Sequence, residues 1–412
     1  MKDIRYCKSQ SEWSRVSNDL DYPVHIPINA IIIDWQGSIY EDLSKLPIVS
    51  RLEEVHQLGL ADQCVGSINA YGTRYSHSLI CATKIDYLSQ KHGFGRNLGV
   101  FAGILHDVAT PPRSDSSAVG LCISDEGWFG YVIDQCPRMK ELLDKYSVSR
   151  AELINAVRGK SKDPITQLVN RPGSLDVDRW SYTICDAQTL GVFPGRFAGN
   201  YVNDPFKNIA LYDGEIVFLD LDSVANCLEL RVNMFEKFYK SPELRAKEAF
   251  SGKVAKELLD RGVITRESIF KIGDIDFDKL VREYGGELGK RLYSLDGFDS
   301  YGPVNASEKE LENFLGQITD HPFVVKRHKA FDAGIETPVM IDGTIKTYKE
   351  WNYRHAIQLK HRMSEWSHNT HVYGYENDSV LKDAVDKALR EFGIDLSARL
   401  EYFMDWEHLD SD

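Results

Sequence analysis

Apolar residues fall at helical spacing along most of the chain. In LPIVSRLEEVHQLGL, Leu46, Ile48, Val49, Leu52, Val55 and Leu58 recur every three or four positions, which predicts a helix. HSLICATKIDYLSQ (77–90) and NLGVFAGILHDV (97–108) predict two more. SRAELINAVRGK predicts a fourth, with Ser149 at its N-cap and Glu152 three residues on. DVDRWSYTICDAQTLG predicts a helix closed by Gly191. LELRVNMFEKFYKSPELRAKEAFSGKVAKELLDRG is mostly helical, and SVLKDAVDKALREFGIDLSARLEYF predicts two helices before an acidic tail. Strand patterns are few. VHIPINAIIIDW and SIYEDL predict short strands. Two Asp-Gly turns, Asp213-Gly214 and Asp342-Gly343, each predict a β-hairpin. There is no internal repeat and no low-complexity linker. The expected fold is mainly α, with small β-hairpins. An N-terminal β-containing segment covers 1–44, a helical core 45–258, and an appended α+β C-terminal lobe 259–412.

Composition narrows the class of molecule. The 412 residues are 42% hydrophobic and 27% charged, as in a soluble globular protein. A net charge of −13 disfavours nucleic-acid backbones and anionic membranes as partners, while leaving room for a local basic pocket. The seven cysteines include no C-x-x-C pair, so neither a zinc ribbon nor a disulfide framework is expected. MKDIRYCKSQSEW has no apolar core of signal-peptide type, and LGVFAGIL is too short to span a bilayer. A cytoplasmic protein is the expectation.

The chemistry concentrates in one constellation. His106 and Asp107 end an apolar helix that Pro111-Pro112 stops. His77 opens the preceding helix, so an antiparallel pair draws it towards His106. Asp178 begins a later helix on which Arg179, Tyr182 and Asp186 share its face. Two imidazoles and two carboxylates suit one divalent ion, Mn, Fe, Ni, Co or Zn, or Mg, with positions left for water and substrate. A helix face carrying two carboxylates, a phenol and a guanidinium points to a ligand site if it is buried.

The order His … His-Asp … Asp resembles the HD-domain metal-dependent phosphohydrolases. The resemblance is closer to the branch of deoxynucleoside triphosphate triphosphohydrolases, the bacterial dGTPase-like proteins and the vertebrate sterile-alpha-motif/HD-domain dNTPase. LPIVSRLEEVHQLG, TRYSHSL, AGILHDVATPP, LDVDRWSYTICDAQTLGV and LYDGEIVFLD followed by RVNMFEKFYKSPELRA carry it, over roughly residues 45–250. It implies an HD-type helical core in which His77, His106, Asp107 and Asp178 hold the metal. It further implies that Arg74 lies by the phosphates and that Gln57, Tyr182 and Asp186 meet the sugar. Arg179 stands where the family has a phosphate-facing Lys, and Tyr239 and Arg245 fall on a later substrate-lining helix.

One segment departs from the family. Its exit motif, approximately His-Asp-x-Gly-His-x-Pro-Phe-x-His, is here HDVATPPRSD, with Thr110 and Asp115 at the histidine positions and Arg113 at the aromatic one. The family's catalytic His-Glu pair has only SDEGW, with Asp125 and Glu126, as its nearest counterpart. The candidate catalytic residues are therefore Arg113, as a phosphate-binding cation, and Asp115 or Asp125, as an acid or base with a raised pKa. No histidine lies between 107 and 178, which argues for a mononuclear site and against a histidine-rich di-iron oxygenase. The expected function is a metal-dependent phosphohydrolase acting on a nucleotide, with a deoxynucleotide favoured and the cleaved bond open. The alternative is a nucleotide-binding sensor or scaffold with little catalysis. A third reading has Arg113 binding a carboxylate in non-phosphate chemistry. The resemblance also implies a homo-oligomer.

Overall fold

At the centre of the fold, the chain runs through helix Arg74–His92, reverses at Gly93 in the left-handed region, and returns through helix Arg96–Leu105. The computed structural model describes residues 37–60, 72–93, 95–161, 163–190, 204–293, 297–328, 331–364 and 367–394. It also describes the backbone of strands Ile4–Ser9, Glu12–Arg15 and Ile31–Ile33. Thr73 caps the first central helix by accepting from the Ser76 amide at 3.2 Å. The two helices approach closely at Gly103, where an added Cβ would lie 2.7 Å from the Ala82 Cα. Glycine therefore sets the separation between the helix that carries His77 and the one that ends at His106. Gly103→Ala is expected to destabilise the fold by about 1–3 kcal/mol through overpacking against a backbone atom. A denaturant titration at unchanged slope checks it.

Helices surround this pair. Val177–Thr189 packs on Arg74–His92 and on Leu221–Met234, and Pro242–Asp260 packs on Asp115–Leu121. One apolar core runs from Ile39 to Tyr373, and a smaller cluster gathers Val304, Leu311, Val325, Val372 and Leu381. Ser149 caps helix Arg150–Val157 as expected, with its hydroxyl accepting from the Glu152 amide. Among the described residues no helix is long and apolar enough to cross a membrane.

Both Asp-Gly turns form hairpins. Ile209–Tyr212 pairs with Glu215–Phe218, and Pro338–Ile341 with Thr344–Thr347. Each turn has positive φ at Asp and Gly, 48° and 79° in the first and 48° and 77° in the second. The hairpins join through a parallel contact between Phe218 and Val339 into one four-stranded sheet. A separate sheet places Thr370–Tyr375 between Phe298–Val304 and Phe323–Arg327.

Two expectations are corrected. SIYEDL is no strand but helix Ile39–Ser44, because Ile39, Tyr40 and Leu43 bury one helical face. The long helix expected from residue 46 is a short helix, Pro47–Ser50, followed by a 3₁₀ turn, Arg51–Glu54. It stops because Val55 turns extended and His56 pairs with Thr73 in an antiparallel bridge. Gly191, most of VHIPINAIIIDW and the second C-terminal helix lie outside the described residues.

Candidate metal centre

His77 stands in the second turn of Arg74–His92, His106 caps the end of Arg96–Leu105, and Asp178 lies in the first turn of Val177–Thr189. Three elements thus deliver to one point three side chains that could ligate a metal ion. His77 Nε2 lies 2.8 Å from Asp178 Oδ1 and 3.2 Å from His106 Nε2, and His106 Nε2 lies 3.6 Å from Asp178 Oδ1. Asp107 Oδ2 is 3.5 Å from His106 Nε2 and 3.9 Å from His77 Nε2.

One outer hydrogen bond decides where the His106 proton sits. His106 Nδ1 faces the Gly103 carbonyl at 2.9 Å, a contact only N–H can make. The Ser181 hydroxyl lies 3.2 Å from the Asp178 carbonyl, to which it donates, and 3.1 Å from His77 Nδ1. With Nδ1 so engaged, the neutral His106 ring turns its Nε2 lone pair towards His77 Nε2 and the Asp178 carboxylate, a place that a metal ion or an added proton fills. Burial alone would lower the His106 pKa, but the adjoining Asp107 and Asp178 overcome it and raise the value to about 9. Burial likewise opposes ionisation of Asp178, yet hydrogen bonds from His106 and His77 hold it well below the usual carboxylate range. The residues present fit a divalent ion, with imidazole ligands oriented by second partners as metal-bound histidines are.

One further ligand type was not expected. Cys81, four residues after His77 on the same helix face, joins His77, His106 and Asp178 in a group that could hold a metal ion. Each residue offers one ligand atom, and these lie within 4.8 Å of one another. The i, i+4 spacing was visible in the sequence.

Around this cluster lies a ring of charge. Arg74 Nη1 reaches both Asp107 oxygens at 3.2 Å, and its Nη2 is 3.9 Å from Asp115. Burial would weaken the Arg74 charge, but Asp107, Asp115 and Asp125 hold its proton more firmly than usual. Thr110 donates to Asp125 Oδ2 at 2.8 Å while also 3.2 Å from Asp107 Oδ1. One hydroxyl proton between two carboxylates is satisfied when Asp125 carries a second. Accordingly burial, and then the Asp107 charge, push the Asp125 pKa up to about 7. Asp115, by contrast, is 87% exposed at the rim.

The exit segment is held in a strained shape. Arg113 and Ser114 have φ of 59° and 49°, a region costly for side chains of this kind. Distant contacts impose it. The Arg113 amide donates to Asp274 at 2.6 Å, its Nε to Asp278 at 2.9 Å and its Nη2 to the same carboxylate. Ser114 donates to the His56 carbonyl at 2.6 Å and accepts from Arg74 Nε at 3.1 Å. Arg113 therefore anchors the loop, and its donors are engaged by helix Asp274–Tyr284.

The remaining expected residues divide. Asp186 is 3% exposed and accepts from the Tyr239 hydroxyl, which a π-turn, Phe235–Tyr239, aims across at it. Tyr182 stacks against the Arg231 guanidinium, 5.4 Å from its ring centre, and Phe235 covers it at 4.9 Å. Burial and then Arg179 lower the Arg231 pKa to about 10. Among the described residues Arg231 Nη1 and Gln57 Oε1 are buried without a hydrogen-bond partner. Arg179 is paired with Asp176 and lies 3.6 Å from Asp332. It lines an open cavity of about 440 Å³ with Glu126, Arg158 and Lys160. Arg245 pairs with Glu248 at 2.8 Å and packs over Phe331.

No protein-family model and no curated protein matches the chain. Solved structures do. A hypothetical protein from Aquifex aeolicus superposes with a TM-score of 0.68 at 20% identity, covering 93% of this chain and 99% of that one. A phosphohydrolase from Bacteroides thetaiotaomicron VPI-5482 superposes with a TM-score of 0.65 at 18% identity, covering 85% of this chain and 98% of that one. The chain shares its fold with both. At these identities the likeness concerns the fold, and the chemistry must be argued from the side chains.

Proposed function

We propose that this chain is a metal-dependent phosphohydrolase of HD type acting on a nucleotide, with a deoxynucleotide favoured. The observation that carries the reading is the donor set at His77, His106 and Asp178, whose Nε2 and Oδ1 atoms converge to within 3.6 Å of one another. Asp107, the fourth ligand that the resemblance implies, lies beside them, 3.5 Å from His106 Nε2. Likeness in fold to a protein called a phosphohydrolase supports it. When bound, the ion supplies Lewis-acid polarisation of a phosphoryl oxygen. Arg74, fixed by Asp107 and Ser114, presents fixed positive charge beside the phosphoryl group. Asp125, whose proton is favoured by burial and by the Asp107 charge, donates to the leaving oxygen in the role the family gives to histidine. The unpartnered Arg231 Nη1 and Gln57 Oε1 are polar atoms that a bound ligand satisfies.

Asp186 and Tyr239 are proposed to meet the sugar. A hydrogen bond from a sugar hydroxyl to a carboxylate contributes about 1.5–3 kcal/mol. Asp186→Asn is therefore expected to weaken nucleotide binding roughly ten- to a hundredfold while metal content stays unchanged. Calorimetric titration alongside elemental analysis checks both halves.

The reading itself is tested by turnover of nucleoside mono-, di- and triphosphates and simple phosphate esters, with each of Mn²⁺, Fe²⁺, Co²⁺, Ni²⁺, Zn²⁺ and Mg²⁺. Product analysis identifies the broken bond. Binding of nucleotide without turnover under every metal would leave the sensor reading in its place.

A further inference from the structure

We propose that Cys81 is an inner ligand of the metal centre, and that its sulfur makes the centre select a thiophilic divalent ion, Zn²⁺, Fe²⁺ or Co²⁺, over Mg²⁺. The inference rests on the metal-centre reading above and specifies its ligands and its metal class. The geometry favours it. With bonds of about 2.0–2.1 Å to nitrogen and about 2.3 Å to sulfur, tetrahedral ligand atoms stand roughly 3.4 Å apart for an N–N pair and roughly 3.6 Å for an N–S pair. Here His77 Nε2 and His106 Nε2 are 3.2 Å apart, and Cys81 Sγ, 3.7 Å from His77 Nε2 and 3.9 Å from its Nδ1, lies within 4.8 Å of every other ligand atom of the group. Asp107, the family's fourth ligand, has both oxygens engaged by Arg74 and one by Thr110, so Cys81 takes the fourth position here and Asp107 holds Arg74.

Cys81 belongs to the buried apolar core, yet its sulfur also touches the Ser181 hydroxyl at 3.1 Å and the face of His77. Ser181 is buried, and it also holds His77 Nδ1 and the Asp178 carbonyl. One hydroxyl thus orients the thiol, one imidazole and the start of the Asp178 helix together, which makes Ser181 a positioning residue. On ligation the Cys81 S–H bond breaks, the proton leaves to solvent, and the sulfur electron pair goes to the metal. Thiolate favours soft and borderline ions, whereas carboxylate and water suit Mg²⁺.

Cobalt reports the bond directly. The metal-stripped protein is titrated with Co²⁺ and its absorption spectrum recorded. A thiolate-to-cobalt charge-transfer band in the near ultraviolet is expected alongside the visible ligand-field bands. Cys81→Ser should lose the first and keep the second, and should weaken Zn²⁺ binding by more than the roughly 10–100-fold that loss of an outer partner causes. Asp107→Asn should keep the charge-transfer band. If the unaltered protein binds Co²⁺ with ligand-field bands alone, Cys81 is a packed thiol and the proposal falls while the metal centre stands. If it binds no Co²⁺, the metal-centre reading falls with it. The unaltered protein decides the matter even where Cys81→Ser fails to fold.

Discussion

His106→Ala, or Asp178→Asn, is expected to take bound metal from about one ion per chain to nearly none, and to lower turnover by more than the 10–100-fold typical of outer-partner loss. Each removes one of three donors whose Nε2 and Oδ1 atoms lie within 3.6 Å of one another. Elemental analysis of the purified variants measures the first effect. Two ions per chain in the parent protein, at equal occupancy, would contradict the mononuclear site. The same geometry sets a pH dependence. In the metal-free protein His106 holds a proton up to about pH 9, so metal must displace it. Apparent affinity should fall about tenfold per pH unit below that value. In the metal-free protein the raised pKa also stabilises the fold. That contribution is whole below the ordinary histidine value of 6.5 and is lost as pH rises through about 9.

Asp125→Asn is expected to lower kcat by about 10²–10⁴, the usual contribution of a positioned acid, with metal content unchanged. Asn keeps the shape and the hydrogen bond to Thr110 but has no proton to give. The pH profile carries the distinguishing signature. The active form of Asp125 is protonated, so the parent rate falls as pH rises through the Asp125 pKa. That value is about 7 before the metal's own field lowers it. Asp125→Asn should lack this limb. Stability gives an independent reading in the metal-free protein. The unfolded carboxyl titrates near 3.8 and the folded one near 7, so the folded state binds the extra proton between them. Its stabilisation is whole below about pH 4 and disappears as pH climbs through 7. A stability profile that is identical in parent and Asp125→Asn would show that the carboxyl is not strained in the fold. Asp115→Asn makes the contrast, because that side chain is exposed and lies 3.9 Å from Arg74.

Much of this site could be read along the chain. Asp-Gly dipeptides between apolar runs determine hairpins locally, because few residues tolerate successive positive φ. Ser149 and Thr73 announce helix starts by chemistry confined to four residues. His77, His106 and Asp178 were legible for a similar reason. A helix reversal places the start of one helix beside the end of the next, so the spacing of the histidines already implied their meeting. Cys81 was legible too, one turn beyond His77, but a lone cysteine without a second thiol carried no signal until the sulfur was seen beside two imidazoles.

Arg113 marks the boundary. Read locally, an arginine between Pro112 and Ser114 in a polar loop is a free cation awaiting a phosphate. Its partners, Asp274 and Asp278, lie more than 160 residues away, and no local rule pairs them. The same holds for Arg231, which nothing in its own helix marks out, and which becomes notable only between Tyr182 and Phe235. The sequence alone determined the helical class, the hairpins and the donor types that meet at the candidate metal centre, because these follow from periodicity, turn chemistry and the order of the helices. Tertiary structure alone decided that the Asp125 pKa rises, that Arg113 is tied to helix Asp274–Tyr284 and that Arg74 meets Asp107. Those properties come from burial and from charges brought within a few ångströms by distant parts of the chain.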